Sequence, residues 1–205
     1  SSITCSSGTS YLATQEYKHL MKATDSVMYY RGNGWPGYNS LYMGEESIEN
    51  YHTGSLFERM FSSQIFKNPG CRKCSDHFAE NADISFCDFW NAEEMSTEKI
   101  GNSCVIVRSK CGKRIFDDMI SEGAVSVVRE LEKKEVIKSQ YGVLKAKKGN
   151  LKKKSGYTLF IWMIDIVRKT KVFRLFGLRE YQKIAATYSK LCNKSSLDFK
   201  DDYID

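Results

Sequence analysis

Proline is nearly missing from this chain, with two residues in 205, which leaves little material for stiff linkers between domains. Long apolar runs are missing as well. The longest, 157–164, is stopped by Asp165, well short of the roughly 18–20 apolar residues that a membrane-spanning helix needs. Histidine is scarce: His19, His52 and His77 are the three, none has an evident nucleophile partner, and no GxSxG occurs, so hydrolase readings are unsupported. No GxGxxG joins a strand-like segment to a helix-like one and no P-loop is present, which leaves a Rossmann site or an NTPase without support. Basic-zipper, zinc-finger and RNA-recognition signatures are also absent, so nucleic acid is not an expected partner. The opening Ser1-Ser2-Ile3 has no initiator Met, basic leader or apolar leader core, and it reads as cut from something longer.

What is present describes a globular protein. A hydrophobic content of 41% and an aromatic content of 13% supply enough apolar surface to offset the entropy of ordering. The length suits one domain with a helical annex, and we place the boundary at 155, with 1–155 as the domain and 156–205 as a helical extension. The net charge of +6 is local: most of the excess lies in 129–154, densest at Lys145, Lys147, Lys148, Lys152, Lys153 and Lys154. Such a run reads as a solvated face or tether, or as a surface for an anionic partner such as a nucleotide phosphate, an acidic polysaccharide or lipid headgroups. Seven cysteines are an odd number and do not form a secreted disulfide framework, so reduced thiols in a cytoplasmic compartment are expected.

The periodicities predict a mixed α/β fold: a central mixed sheet flanked by helices, with the helical annex at the C-terminus. A short strand ends at Cys5, followed by a Ser/Gly loop and a helix capped by Thr9 or Ser10. Val27–Arg31 is strand-prone and runs into 32–37, where three glycines, a proline and an asparagine demand a shaped loop carrying Trp35. The stretch 41–50 reads as strand or turn, and 53–66 as a helix capped by the Ser55/Glu58 pair. Alternation makes 82–90 a strand and leaves 91–101 as polar loop. Ser103–Arg108 is the clearest buried strand, 110–113 its turn, 114–122 a helix and 125–128 another short strand. Helices follow over 130–140, 157–169 and 173–192, with the basic 141–154 between the first two and a frayed acidic tail from Asn193.

Chemistry concentrates in 71–90, which packs three cysteines, three aspartates and a histidine behind the turn Asn68-Pro69-Gly70. Cys71-Arg-Lys-Cys74 has the spacing for two thiolates on one metal or cluster, with Arg72 and Lys73 favouring the thiolate form. No second CxxC exists, although His77, Cys87 and Cys5 are available to complete a set. The pair therefore reads as an iron–sulfur or zinc site, a redox dithiol, or incidental cysteines. Asp88, at a strand end beside Trp90, reads as a ligand-binding carboxylate or as a cap for the next turn.

Four ordered motifs carry a resemblance. YRGNGWPG at 30–37, PGCRKCSD at 69–76, ADISFCDFW at 82–90 and GNSCVIVR at 101–108, with Gly112, resemble the coenzyme F-420 hydrogenase/dehydrogenase beta subunit family in its C-terminal domain. Ser139-Gln140 with Lys147-Lys148 and Leu151 resembles a late motif of the same family. The resemblance covers 1–155. It implies an iron–sulfur flavoprotein oxidoreductase moving electrons between a 4Fe-4S cluster, FAD and a deazaflavin-like or other organic acceptor. By position, Cys5, Cys71 and Cys74 match cluster ligands, and a fourth is supplied upstream in the family. Arg31, Asn33, Gly34 and Trp35 match the loop near the flavin, and with Asp88 form the expected flavin or substrate site. Cys87 departs from the family, which usually has Gly there. Implied partners are an electron-transfer protein or ferredoxin-like module, a small-molecule acceptor and a second copy of the chain. Relatives in surface-polysaccharide loci supply the alternative: a non-redox or accessory protein holding an anionic sugar or partner on Lys145–Lys154.

Overall fold

The computed structural model describes residues 1–194 and 196. A two-residue strand β1 (Ser2–Ile3) leads through the Ser/Gly loop to helix α1 (Tyr11–Leu20). Strands β2 (Val27–Gly32), β3 (Tyr38–Met43) and β4 (Glu46–Tyr51) form an antiparallel meander in that order. The predicted strand-or-turn at 41–50 is thus a hairpin. Its two-residue turn needs the positive φ of +65° that Gly44 adopts without penalty. Helix α2 (Leu56–Ser62) starts as expected: the Ser55 hydroxyl accepts from the Glu58 N–H at 3.0 Å, and the Glu58 carboxylate accepts from Gly54 N–H at 2.8 Å. It ends four residues early because Gln64 takes φ +68°, yet Ile65 and Phe66 still enter the core. Helix α3 (Pro69–Lys73) then begins with proline at its first turn, where the missing N–H costs nothing.

Strand β5 (Ile84–Asp88) pairs in parallel with β1 and antiparallel with β6 (Ser103–Val107), giving the mixed sheet β1-β5-β6. The mixed α/β class is therefore as read, with the strands divided between two three-stranded sheets. Between β5 and β6 the expected polar loop contains helix α4 (Ala92–Thr97), because the Asn91 side chain accepts from the N–H groups of Glu93 and Glu94 and caps it. The expected turn at 110–113 is the first turn of α5 (Lys110–Ser121), capped by Ser109. Gly112 acts there as a close-approach residue, not a breaker. A Cβ on it would stand 2.7 Å from the Asp83 carbonyl oxygen, so only glycine lets this helix abut the strand. The strand expected at 125–128 does not form: Val127 and Val128 are 50% and 73% exposed, beside β6 but unpaired with it.

Helices α6 (Lys133–Ser139), α7 (Tyr141–Lys148), α8 (Ser155–Lys169) and α9 (Leu178–Asn193) complete the described chain. The tail expected to fray beyond 193 falls, apart from 194 and 196, outside the described residues. Two cores result. One joins Tyr17, Leu41, Met60 and Phe66 to Phe160, Phe173 and Tyr181 of the C-terminal helices. The other lies between the mixed sheet and α6/α7, built from Phe78, Cys87, Cys104, Ile106, Val136 and Leu144.

Candidate functional site

The short helix α3 presents Cys71 on its surface and ends at Cys74. Cys71 Sγ accepts from the Gly8 N–H at 3.3 Å, which draws the Ser/Gly loop over the CxxC. Cys5 joins from the end of β1: its N–H donates to the His77 carbonyl at 2.9 Å, and its own carbonyl faces His77 Nδ1 at 3.1 Å. Lys147 ties the group together. Its ammonium donates to the Cys5 carbonyl and, at 2.5 Å, to that of Asp76, and it stands 4.0 Å from Cys74 Sγ. Cys5, Cys71 and Cys74 thus lie around one patch. They do not converge into a formed metal site: among the described residues, no group of three or more His, Cys, Asp or Glu side chains is set to hold a metal ion.

The electrostatics of the patch are unusual for a surface. Lys147 is 5% exposed and, among the described residues, has no carboxylate partner. Burial pulls the Lys67 ammonium below its ordinary range, the Cys71 thiolate charge opposes that shift, and Lys147, Arg72 and Lys152 reinforce it. Four cations therefore share one neighbourhood with Cys71. The basic run is in consequence not a single solvated face: Lys147 points inward, and Lys148, whose side chain is 13% exposed, pairs with Glu80 at 2.5 Å. A signal for this was present in the spacing. Gln140, Leu144, Lys147 and Leu151 recur at helical intervals and all four are buried, so the lysine occupies a core position of the α7 stripe.

The second group forms on the shaped loop. Arg31 pairs with Asp88 at 2.7 Å, and its guanidinium lies 5.3 Å from the Trp35 ring centre and 5.8 Å from that of Trp90. The two indoles touch, with centroids 4.8 Å apart. The Trp35 backbone N–H donates to the Lys99 carbonyl at 2.7 Å, and Gly34 turns there with φ +99°, leaving no room for a Cβ, which would stand 2.8 Å from the Lys99 oxygen. Asn33 does not join: its amide donates to Glu49 Oε1 at 2.7 Å. Trp90 and His52 do join, and single-sequence reasoning did not assign either. His52 accepts from the Asn39 amide at 3.4 Å, and burial with the nearby Arg31 charge holds its pKa below the ordinary histidine value.

Gln140 connects the two groups. Its Oε1 lies 3.1 Å from His77 Nε2, and its Nε2 donates to the Asp88 carbonyl at 2.5 Å. A chain of close polar contacts thus runs from Cys5 through His77 and Gln140 to the strand end that holds Asp88. Cys87, available on sequence grounds as a further ligand, instead opposes Cys104 across the β5–β6 ladder. A cavity of about 1050 Å³ follows β6 and α5, lined by Cys104, Val105, Arg108, Lys110, Phe116 and Val128 among others. It takes in none of Arg31, Asn33, Gly34, Trp35 or Asp88.

The model of the family described as the C terminus of the coenzyme F420 hydrogenase/dehydrogenase beta subunit matches residues 2–134. No curated protein matches the chain. Among solved structures, a chain of the F420-reducing NiFe hydrogenase complex from Methanosarcina barkeri is similar, with a TM-score of 0.48 and 17% identity over 76% of this chain and 50% of that one. This chain therefore spans about half the length of that relative. No described helix is long and apolar enough to cross a membrane. By the span of the family match, the protein belongs to the coenzyme F420 hydrogenase/dehydrogenase beta subunit family, an oxidoreductase family, and represents its C-terminal part.

Proposed function

We propose that this chain is the C-terminal part of an iron–sulfur flavoprotein subunit that passes electrons between a partner protein and an organic acceptor of the deazaflavin type, in the cytoplasm. The observation that carries the reading is Lys147: a buried ammonium, without a carboxylate partner among the described residues, set against Cys5 and Cys74 of the cysteine patch. A buried cation is costly unless an anion compensates it. Thiolates holding a cluster are such an anion, and Lys67, Arg72 and Lys152 favour the same charge.

The donor count limits the role of the chain. A 4Fe-4S cluster takes four thiolates, and the patch offers three that do not yet converge, so the described residues alone do not fit a complete cluster. The fourth donor, and the closing of the set, belong to a segment or ferredoxin-like module beyond these residues. The flavin side is similar. The indoles of Trp35 and Trp90 suit a stacked ring and Arg31 suits a phosphate or ring anion, yet they form one open wall and not an enclosed FAD pocket. Arg31 would exchange its contact with Asp88 for the ligand.

The test is anaerobic reconstitution of the chain together with its electron-transfer partner, using iron and sulfide and then FAD. Broad visible absorbance with bound iron and sulfide is expected, falling to background in Cys71→Ser and Cys74→Ser. Flavin binding should weaken in Trp35→Ala while iron content holds. A colourless complex without iron, or iron unaffected by both cysteine changes, overturns the assignment.

A further inference from the structure

Two cysteines outside the candidate cluster site stand directly opposite each other. The β5–β6 register pairs Cys87 with Cys104. The Arg108 N–H donates to the Asp83 carbonyl at 2.8 Å, and counting back by two residues makes Ile106/Ser85 and Cys104/Cys87 the hydrogen-bonded pairs of the ladder. Such pairs hold their Cα atoms about 5.5 Å apart, the separation commonest in disulfides. Both side chains lie on the face packed against α6 and α7.

Both residues are buried, at 5% and 3% exposure, which ordinarily makes cysteines inert. Here the large cavity changes the access, because Cys104 lines it and Cys87 does not. The pair is also asymmetric. The neighbouring Cys104 thiol and burial together hold Cys87 far above the ordinary thiol range. The neighbouring Cys87 thiol pulls Cys104 down, against burial and the Glu94 charge. The thiol that ionises more readily thus belongs to the residue of the pair that lines the cavity. The lining carries a net positive charge, Arg108, Lys110, Lys113, Arg129 and Lys133 against Glu94, Asp117 and Glu130, with Lys113 paired to Asp117 and Arg129 to Glu94.

We propose that Cys104 and Cys87 are a thiol–disulfide exchange pair, Cys104 attacking and Cys87 resolving, whose substrate is a low-molecular-mass disulfide bearing carboxylates bound in the β6/α5 cavity. The Cys104 thiolate attacks one sulfur of the incoming disulfide, forming a protein mixed disulfide and releasing one substrate thiolate. Cys87 gives up its proton and attacks Cys104 Sγ, closing the cross-strand disulfide and releasing the second substrate thiolate. The two protein thiols are oxidised, the substrate disulfide is reduced, and the two protons go to the released thiolates. The assignment stands apart from the cluster proposal and uses none of its cysteines.

The test is peptide mapping of the reduced, iron-free full chain after exposure to oxidised glutathione, with acid quenching and alkylation in denaturant so that buried thiols are counted. In the wild type, a Cys87–Cys104 cross-link lighter by two hydrogens should form, with little lasting adduct. Cys87→Ala should accumulate glutathione on Cys104, whereas Cys104→Ala should leave Cys87 free. Cationic cystamine should react more slowly than oxidised glutathione, and added salt should narrow the gap. Modification confined to the exposed Cys5, Cys74 and Cys111, with Cys87 and Cys104 both alkylated, overturns the proposal from the wild-type map alone. So does an adduct on Cys87 in Cys104→Ala. Equal rates with cystamine and oxidised glutathione overturn the substrate class.

Discussion

Around Cys71 the positive charge is buried: Lys147 is 5% exposed and is held by two backbone carbonyls and a thiol. Around Trp35 it is open: the Arg31 and Asp88 side chains leave 36% and 39% of their surface to solvent. The two groups lie at either end of the path through His77 and Gln140, so the contrast concerns neighbouring parts of one structure. An exposed ion pair adds little to stability, and its geometry is free to serve a ligand. A buried ammonium without a counter-ion has a cost that the fold must offset elsewhere, and it marks a place prepared for negative charge.

Reversing the charge at each end gives the largest expected effect. Lys147→Glu places a carboxylate against the Cys5 and Asp76 carbonyls, and by analogy with broken buried ion pairs it should cost about 3–5 kcal/mol in urea unfolding. Arg31→Glu, beside Asp88 but in solvent, should cost no more than about 1 kcal/mol. Equal losses at the two positions would break the contrast and show Lys147 to be solvated in practice.

Gly34→Ala comes next, because it separates loop shape from loop charge. The positive φ and the 2.8 Å approach to the Lys99 oxygen should make it cost about 1–3 kcal/mol, read as a lower melting temperature. Arg31→Ala should be smaller still in stability, within about 1 kcal/mol, while weakening flavin binding roughly tenfold through the lost cation over the two indoles. A stability loss at Arg31 as large as that at Gly34 would make the guanidinium a structural brace, not a ligand contact.

The two groups also differ in how far the sequence discloses them. Arg31, Gly34, Trp35 and Asp88 were named through the ordered motifs, and the shaped loop that carries the first three does form between β2 and β3. The CxxC was equally plain, and the ordered motifs tied Cys5 to it. Lys147 was not, since charge counting treats a basic run as solvated, whereas its place in the Gln140, Leu144, Leu151 stripe puts it inside. The partner of Cys87 depended on strand register, which spacing alone does not fix, and the helix at 92–97 on a single asparagine cap. The segment 125–128 carried strand-prone residues, yet it stays unpaired beside β6.

The smallest effect is a pH dependence at the open end. Burial, with the Arg31 charge acting in the same direction and Glu58 and Asp88 against it, lowers the His52 pKa from its ordinary 6.5 in the folded chain. Above that value both folded and unfolded forms hold His52 neutral, so it contributes no slope. Below it the unfolded chain takes up a proton that the folded chain resists, so stability falls with falling pH until the folded form also protonates. One proton limits the slope to about 1.4 kcal/mol per pH unit, and this half-buried ring should stay well under that. The Asn39 amide donating to His52 Nδ1 supports the neutral form. Urea midpoints of the wild type should therefore drop between about pH 7 and pH 5 by more than those of His52→Gln. In Arg31→Ala the His52 titration followed by NMR should move upward, because one cause of its depression is gone. An unmoved titration would place the Arg31 charge outside the reach of His52, and the open group would then be a contact between side chains without electrostatic coupling to the ring beneath it.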